Sequence, residues 1–382
     1  MRAPASDAIR PPDFFPPCFP TVNSSSPACP EPSSTPETAA RLRKLQPGGF
    51  ILFGRNIKSP AQLRKLIDDL RDLSAVEPFV TIDQEGDALS RLRLIGSEPP
   101  NAVQLREAGD PDLILRHGNL TERILRMFGF NLDLARCSTT TWTRRTTTRC
   151  AGAATAPYQQ VITNAGLFNR AMREQGVLSC GKHFPGYGEA GVDPHHELPV
   201  IERTRAQIEA AELAPFRALA PEIDSMMVGH SYYPCFDPDR RLPASLSKAV
   251  ITDLLRNQLG FDDGLVMTDD LDMGAILNEF GFDDTIRMAV EAGNDLAMIC
   301  HRVEMVEQAK QVLESLPHPA IDDALRRIER AKKRLQPPYP WDENRFRAID
   351  AEIWQLRVDT LGEERASILS EEDGKRSPVE LY

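Results

Sequence analysis

The sequence lacks the features that mark several common classes of protein. It has no excess of basic residues, since 45 Lys and Arg stand against 56 Asp and Glu and the net charge is −11 at pH 7. This argues against the positively charged surface that nucleic-acid-binding proteins present to phosphates. Its seven cysteines are odd in number and irregularly spaced, so neither a zinc motif nor a disulfide framework is indicated. A Gly-rich phosphate-binding motif is also missing.

Long apolar segments are absent as well. Residues 1–20 contain no apolar signal-peptide core, and no stretch is long and apolar enough to span a bilayer. We therefore expect a soluble, cytoplasmic protein in a reducing compartment, without nucleic-acid or membrane partners. At 382 residues, 41% of them hydrophobic, the chain is long enough for one large α/β barrel or for two ordinary domains.

What the sequence does contain is a repeated alternation of short apolar runs with amphipathic segments. Strands are predicted over residues 49–53, 78–83, 130–134, 177–180, 225–228, 264–268 and 295–300. Helices are predicted over residues 36–45, 60–73, 158–176, 204–219, 247–260 and 283–293, with two more inside 101–129 and two after 300; Pro215 is expected to kink the helix over 204–219. This alternation predicts a mostly parallel sheet with helices outside, as a (β/α)8 barrel or a doubly wound fold.

The position of the polar residues favours the barrel. They stand at or just beyond the carboxyl ends of predicted strands: Arg55, Asp83, Lys182 with His183, His230, and Asp269. Because the active sites of barrel enzymes lie at the carboxyl ends of the strands, these residues are expected to meet on one face. We therefore predict a single-domain (β/α)8 TIM-like barrel over residues 35–336, with a disordered leader over 1–34 and a charged tail over 337–382.

The stretch 181–199 combines three His, a Lys and three acidic residues with several Gly and Pro. Its composition predicts a shaped loop and excludes an ordinary helix or a buried strand. Within it, a carboxylate from Asp193 could fix the tautomer of His195, giving a group that exchanges protons near neutral pH. The alternative is that these His residues lie on the surface or only support turns.

Asp269 is the leading candidate for a nucleophile, because it is the first acidic residue after a strand and retaining glycoside hydrolysis needs a rigidly held carboxylate. The alternative is that Asp269 and Asp270 cap the next helix. Lys182 and His183 could bind sugar hydroxyls, or Lys182 could pair with a neighbouring carboxylate. Asp83 could hold two adjacent hydroxyls or cap a helix.

Together these stretches resemble the N-terminal catalytic domain of glycoside hydrolase family 3, in the form of the single-domain β-N-acetylhexosaminidases that act on cell-wall fragments. The matching stretches are GGFILFGRN (48–56), IDQEG (82–86), GFNLDLA (129–135), GKHFPGYGEAGVDPHHELP (181–199), MMVGHSYYP (226–234), TDDLDMGAI (268–276) and AGNDLAMICHR (292–302).

The resemblance implies removal of terminal β-linked N-acetylglucosamine with retention, through a glycosyl-aspartate intermediate. It implies that Asp269 is the nucleophile and that His195, held by Asp193, is the acid/base. The implied N-acetylglucosamine-binding positions are Asp83, Arg91, Lys182 and His183, and His230 lies in the matching site strand. A small carbohydrate is the implied partner, and no metal or organic cofactor is implied. The alternatives are a β-glucosidase or β-xylosidase of this family, or an inactive sugar-binding pseudoenzyme.

The sequence departs from the family pattern at three places. Tyr187 stands where the family commonly has His, and Gly86-Asp87 stands where Gly-Gly is usual. Residues 137–156, rich in Thr, Arg and Ala, replace an acid-rich strand end and a sugar-gripping Arg motif. We hypothesise that compensating insertions and deletions shifted the reading frame here, and that a weaker case of the same kind affects residues 15–34. Either shift would leave the barrel incomplete.

Overall fold

The computed structural model describes residues 18–20, 36–86, 90–135, 158–174, 176–187, 198–272, 276, 279–300, 302 and 305–369. Within these ranges the strands are β1 (Cys18–Pro20), β2 (Gly49–Leu52), β3 (Phe79–Ile82), β4 (Leu132–Asp133), β5 (Cys180–Phe184), β6 (Ser225–Val228), β7 (Leu265–Asp270) and β8 (Leu296–Ile299). Every pairing between these strands is parallel. The chain therefore has the α/β architecture that the alternation predicts.

The helices in the same ranges lie between successive strands or, from α10 onward, after β8, and the one numbered α8 is a π-helix. They are α1 (Pro36–Leu45), α2 (Pro60–Asp72), α3 (Ala102–Ala108), α4 (Pro111–Phe128), α5 (Tyr158–Arg173), α6 (Arg205–Ala210), α7 (Leu213–Leu219), α8 (Ala249–Gln258), α9 (Phe282–Ala292), α10 (Met305–Ser315), α11 (His318–Lys332), α12 (Glu343–Leu361) and α13 (Glu363–Ala366). Local signals explain several of the boundaries. Helix α2 begins at Pro60 after Ser59, whose hydroxyl accepts the Gln62 N–H at 3.3 Å, and α9 ends at Gly293 with φ of +111°.

The strands form two sheets, in the orders β1-β8-β7-β6-β5 and β2-β3-β4. A parallel bridge between Leu132 and Leu178 connects the β4 edge to the residues just before β5. In this bridge the Leu178 N–H donates to the Asn131 carbonyl at 2.9 Å, and the Asp133 N–H donates to the Leu178 carbonyl at 3.0 Å. The two sheets are therefore adjacent in space as well as along the chain.

Alternate residues of the strands pack on opposite sides of the sheets. In β2, Phe50 and Leu52 join a cluster with the buried residues of α2 and α4, whereas Ile51 joins a second cluster. That second cluster takes buried side chains from strands of both sheets: Ile51, Phe79, Leu132, Cys180, Met227, Met267 and Met298. The two sheets consequently share one apolar interior, and the helices cover the outside.

The structure differs from the sequence-based expectation over residues 181–184. The sequence predicts that the whole stretch 181–199 is a loop, but Gly181–Phe184 belongs to β5, where Gly181 pairs with Met226 and Phe184 with Val228. The prediction was wrong for these four residues because pairing with β6 outweighs their low strand propensity.

The predicted helix over 204–219 is two helices. Helix α6 ends before Ala211, whose backbone (φ −116°, ψ −88°) is not helical, and α7 then begins at Leu213. Pro215 therefore lies in the first turn of α7, where its missing N–H costs no intrahelical hydrogen bond. The predicted kink at Pro215 is wrong, since the break comes four residues earlier.

The two ends of the chain also differ from expectation. The sequence predicts a disordered leader over 1–34, yet Cys18–Pro20 forms β1 and pairs with β8. Residues 337–382 are predicted to be a tail, but the described part, to Leu369, contains α12 and α13. The apolar side of α12, formed by Phe346, Ile349, Ile353 and Leu356, is buried in the same cluster as α4.

Helix α12 also holds the segment that follows β3. The Asp350 carboxylate accepts the Ser97 N–H at 2.6 Å and the Ser97 hydroxyl at 3.1 Å. Arg357 forms a 2.8 Å ion pair with Glu98, and both side chains are 2% exposed. Among the residues described, no helix combines the length and apolar character needed to cross a membrane.

Candidate active site

The carboxyl ends of β3, β5 and β7 bring together the polar residues predicted from the sequence. Asp83 follows the last residue of β3, Lys182 and His183 are inside β5, and Asp269 is inside β7. Parallel strands place these positions at the same end of the sheets. Arg55, after β2, reaches the end of β8 by donating from Nη2 to the Cys300 carbonyl at 3.1 Å.

Lys182 is buried, and its ammonium group pairs with two carboxylates. Its Nζ donates to Asp83 Oδ1 at 2.6 Å and lies 2.9 Å from Glu85 Oε1. Arg91 Nη2 lies 3.6 Å from the other oxygen of Asp83. The Asp83 carboxylate is thus held between two cations, and its side chain keeps 16% of its surface exposed. The pairing of Lys182 with a carboxylate, one of the two alternatives for this residue, is present in the structure.

The segment that carries Arg91 is held by Gln84. The Gln84 side-chain amide donates to the Ser90 hydroxyl at 2.6 Å, and its carbonyl oxygen accepts the Leu92 N–H at 3.3 Å. Gly86 has φ of +90°, and a Cβ there would lie 2.5 Å from the Pro100 carbonyl oxygen. A glycine is therefore required where the chain turns from Asp83 toward Arg91.

The Asp269 carboxylate is oriented by three neighbours. Its Oδ1 accepts the Asp270 N–H at 2.8 Å, while its Oδ2 lies 3.6 Å from His183 Nε2 and 3.3 Å from the Tyr187 hydroxyl, which donates to it. Burial alone would raise the pKa of this carboxyl, but His183, His230 and the Asp270 N–H lower it, to about 2. Asp269 is therefore ionised throughout the neutral range.

Asp270 and His230 stabilise the end of β7 through hydrogen bonds. Asp270 Oδ1 accepts the N–H groups of Asp272 and Cys300, each at 3.0 Å. His230 is fully buried; its Nε2–H donates to the Asp270 carbonyl at 2.9 Å, and its Nδ1 is hydrogen-bonded to the Ser245 hydroxyl at 2.7 Å. Both ring nitrogens are engaged within the protein, so the structure places His230 as a support for the Asp269–Asp270 backbone.

Tyr187 is a site residue that the sequence analysis identified only as a departure from the family pattern. Its ring packs against His183 with the ring centroids 5.1 Å apart. Its hydroxyl reaches Asp269, which is 82 positions away in the sequence. The signal that could have identified it is its position, three residues after the end of the β5 strand.

Asp133, at the end of β4, is another carboxyl near Lys182, besides Asp83 and Glu85, and the sequence analysis did not select it. It is completely buried, and burial raises its pKa well above the usual range. Its Oδ1 accepts the N–H groups of Gln84 and Ala135, each at 3.1 Å, while its Oδ2 has no hydrogen-bond partner within the part of the chain that is described. Asp133 thus connects β4 to the segment after β3.

Several predicted features lie outside the described residues. These include Asp193 and His195, the segment 137–156 with its suspected frameshift, and most of the leader. The acid/base assignment and the reading-frame hypothesis therefore stay predictions, and resequencing the gene across the codons for residues 10–160 tests the latter. In the described ranges, His, Cys, Asp and Glu side chains nowhere form a group of three that could hold a metal ion.

Comparisons with known proteins agree on one family. Residues 26–331 match the profile described as Glycosyl hydrolase family 3 N terminal domain. The β-hexosaminidase of Chromobacterium violaceum is 31% identical over 300 residues, which are 76% of this chain and 82% of that enzyme. These values are high enough to establish a common family.

Solved structures are similar as well. A glycoside hydrolase family 3 β-N-acetylglucosaminidase from a Paenibacillus species has 28% identity and a TM-score of 0.77, covering 90% of this chain and 67% of that one. Native NagZ from Neisseria gonorrhoeae has 24% identity and a TM-score of 0.73, covering 90% of this chain and 98% of that chain. At that level of identity, the second match shows a common fold.

Proposed function

The chain belongs to glycosyl hydrolase family 3 and is a glycoside hydrolase, and we propose that it removes terminal β-linked N-acetylglucosamine with retention of configuration. The observation that carries this proposal is the ionised Asp269 carboxylate at the end of β7, next to the cluster of Asp83, Arg91 and Lys182. The names of its relatives, a β-hexosaminidase and a β-N-acetylglucosaminidase, support the same choice of sugar.

We propose that the eight described strands belong to one (β/α)8 barrel. The parallel order along both sheets, the bridge between Leu132 and Leu178, and the single apolar cluster drawn from both sheets support this architecture. In such a barrel the carboxyl ends of the strands form the floor of the active site.

In the first half of the reaction, a carboxylate oxygen of Asp269 attacks the anomeric carbon of the sugar. The bond to the leaving oxygen breaks, and that oxygen takes a proton from His195, which Asp193 orients. The product is a glycosyl ester of Asp269. The low pKa of Asp269 supports its part in this step, because the carboxylate must be ionised to attack.

In the second half, water attacks the anomeric carbon from the side that the leaving group has vacated. His195 takes a proton from the water, the ester bond breaks, and its electron pair returns to Asp269. Two inversions at the same carbon give overall retention. The same imidazole acts first as acid and then as base, as its unperturbed pKa near neutrality permits.

Recognition of the sugar falls to Asp83, Arg91, Lys182 and His183. A carboxylate with both oxygens held in place, as in Asp83, can accept hydrogen bonds from two adjacent hydroxyls of a sugar. Lys182 and Arg91 fix that carboxylate and also offer donors to the ligand. We propose cell-wall fragments derived from peptidoglycan as the natural source of substrate, and the cytoplasm as the place of action.

The test compares 4-nitrophenyl N-acetyl-β-glucosaminide with 4-nitrophenyl β-glucoside and β-xyloside. We expect a kcat/KM at least about 100-fold higher for the acetylated sugar, since buried polar groups that lose their partner reject an incomplete ligand. A preference for the glucoside or xyloside would replace the proposed activity with that of a β-glucosidase or β-xylosidase. Binding of N-acetylglucosamine without any hydrolysis would indicate a sugar-binding pseudoenzyme.

A further inference from the structure

We propose that Tyr187 is a positioning residue for Asp269, and that its hydroxyl stabilises the Asp269 carboxylate as the sugar is released from it. The proposal rests on the function proposed above, because it assigns Asp269 to the covalent intermediate. It concerns one of the positions at which the sequence departs from the family pattern, since Tyr187 stands where the family commonly has His.

The first observation is that the two carboxylate oxygens of Asp269 have different hydrogen-bond partners. Oδ1 is held by the Asp270 N–H at 2.8 Å. Among the residues described, the Tyr187 hydroxyl donates to Oδ2 at 3.3 Å, and His183 Nε2 lies 3.6 Å from the same oxygen. A carboxylate held through both oxygens keeps its plane fixed, and this orientation determines how it meets the anomeric carbon.

The second observation is that the backbone before Tyr187 is fixed in place. The Gly186 N–H donates to the His183 carbonyl at 2.7 Å, and the buried Tyr233 hydroxyl donates to the Gly186 carbonyl. Gly186 has φ of +109°, and a Cβ there would lie 2.7 Å from the Cβ of Glu212. The turn after β5 is therefore shaped to direct Tyr187 toward β7.

The third observation is the space that Gly229 leaves for the ring. A Cβ at Gly229 would lie 2.9 Å from the Tyr187 hydroxyl oxygen, 3.0 Å from its ring carbon Cζ and 3.2 Å from the His183 Cβ. Contacts under 3.0 Å require something to move. The absence of a side chain just after β6 thus allows the hydroxyl to reach Asp269.

The chemical consequence falls mainly on the second half of the reaction. When water attacks the anomeric carbon, the carbon–oxygen bond of the ester breaks and its electron pair returns to the Asp269 carboxylate, while the water proton goes to the acid/base. A donor that is already aimed at the oxygen on which charge develops lowers the barrier to this step. Loss of that donor is therefore expected to slow release of the sugar more than its attachment.

The test is Tyr187→Phe, measured with a nitrophenyl N-acetyl-β-glucosaminide whose good leaving group makes attachment fast. We expect kcat to fall about tenfold, in line with loss of one hydrogen bond to a charged group. KM is expected to fall with it, so that kcat/KM changes less than about threefold. Stopped-flow traces are expected to show a burst of nitrophenol close to one equivalent per active site, because the glycosyl-enzyme accumulates.

Two further variants distinguish loss of the hydrogen bond to Asp269 from a non-specific change in the structure of the site. Gly229→Ala keeps the hydroxyl but moves it away from Asp269, so it is expected to show the same fall in kcat and KM together. Tyr232→Phe removes a hydroxyl from a half-buried neighbouring tyrosine, and it is expected to keep both constants within about twofold. Equal losses in kcat and kcat/KM for Tyr187→Phe, or no loss, would overturn the proposal.

The outcomes also distinguish this proposal from the proposed function. If the wild-type chain does not hydrolyse N-acetylglucosaminides, the function fails, and the role of Tyr187 fails with it. If the wild type is active, Asp269→Asn is inactive and Tyr187→Phe behaves as wild type, the role of Tyr187 alone is wrong.

Discussion

The two ends of the parallel strands use charged residues in different ways. At the carboxyl ends, the side chains of Asp83 and Asp269 keep 16% and 20% of their surface exposed. At the amino ends, Asp224 before β6 and Asp295 before β8 are 1% and 0% exposed. Asp83 and Asp269 can therefore meet a ligand, whereas Asp224 and Asp295 cannot.

The amino-end carboxylates are occupied entirely by the protein. Asp295 Oδ2 accepts the Val266 N–H at 2.9 Å and pairs with Arg256 at 2.9 Å, while Oδ1 pairs with Arg327 at 3.1 Å. Asp224 likewise accepts the Ser179 N–H at 2.9 Å and pairs with Arg173 at 2.8 Å. These carboxylates join neighbouring strands and helices.

The comparison teaches that burial and pairing of a carboxylate do not by themselves indicate catalysis. The distinguishing feature is whether part of the group still faces solvent where a ligand can reach it. We therefore expect substitutions at the carboxyl ends to affect turnover, and substitutions at the amino ends to affect the free energy of unfolding. Two predictions test this division, and a third tests a buried residue on α4 that lies at neither end; they run from the largest expected effect to the smallest.

The largest effect is expected for Asp269→Asn. An amide cannot attack the anomeric carbon as a carboxylate does, so kcat is expected to fall about 10⁴-fold or more. The structure keeps room for the amide, since the two side chains have nearly the same shape. The measurement is hydrolysis of the nitrophenyl N-acetylglucosaminide, with thermal unfolding of the same sample. Retained activity in a folded variant would remove Asp269 from the reaction.

The next effect is expected for Asp295→Asn, at the opposite end. Burial raises the pKa of Asp295 in spite of Arg256 and Arg327, and it lowers the pKa of Arg256. Loss of this carboxylate would leave a buried cation without its partner, which costs about 3–5 kcal/mol of unfolding free energy. Urea unfolding measures that cost, and kcat/KM is expected to stay within about twofold of wild type at temperatures where the variant is folded.

A matched control is Asp262→Asn. Asp262 pairs with the same Arg327, at 3.3 Å, but its side chain is 75% exposed. Exposed ion pairs contribute less than about 1 kcal/mol. Equal destabilisation by the two variants, or a large loss of kcat in Asp295→Asn, would contradict the division between the two ends.

The smallest effect is a loss of folding stability at low pH, and it is expected to come from His117 on α4. This side chain is buried, and burial lowers its pKa from 6.5 to about 4. The unfolded chain therefore binds a proton below pH 6.5 that the folded protein does not bind until about pH 4. Stability is consequently lost as the pH falls through this window, by up to about 3 kcal/mol.

His117→Leu is expected to reduce that loss, because Leu takes up no proton in either state. Urea unfolding at pH 7 and pH 4.5 measures it. The pH profile of kcat/KM is expected to be unchanged, since His117 is remote from the site and Asp269, with a pKa of about 2, stays ionised over the same range. A shifted pH profile, or an equal loss of stability in both proteins, would contradict this account.

Much of the fold could be predicted because the sequence marks its element boundaries locally. Ser59-Pro60 begins α2 and Gly293 ends α9, as their preferences for cap positions indicate. Helix α12 was missed although Phe346, Ile349, Ile353 and Leu356 recur at helical spacing. Its many charged residues hid that pattern, and only the contact with α4 shows which side is buried.

Part of the site could be predicted because the strand ends that carry it are also marked locally in the sequence. Asp83 and Asp269 follow recognisable apolar runs, so their place at strand ends can be read directly. The role of His230 could not, because its partners Ser245 and Asp270 come from distant parts of the chain. The contact between Tyr187 and Asp269 likewise depends on the shape of a turn and on a missing side chain at Gly229.

Helix α12 has a practical consequence for work with this protein. The family match ends at residue 331, but α12 covers the apolar side of α4 and its Arg357 neutralises the buried Glu98. A shortened chain that stops at the family boundary would expose the apolar side of α4 and would leave Glu98 with Arg93 as its remaining ion-pair partner among those described. Shortened or fused forms of the protein should therefore keep residues through 369, because α12 packs on α4 as part of the same folded unit.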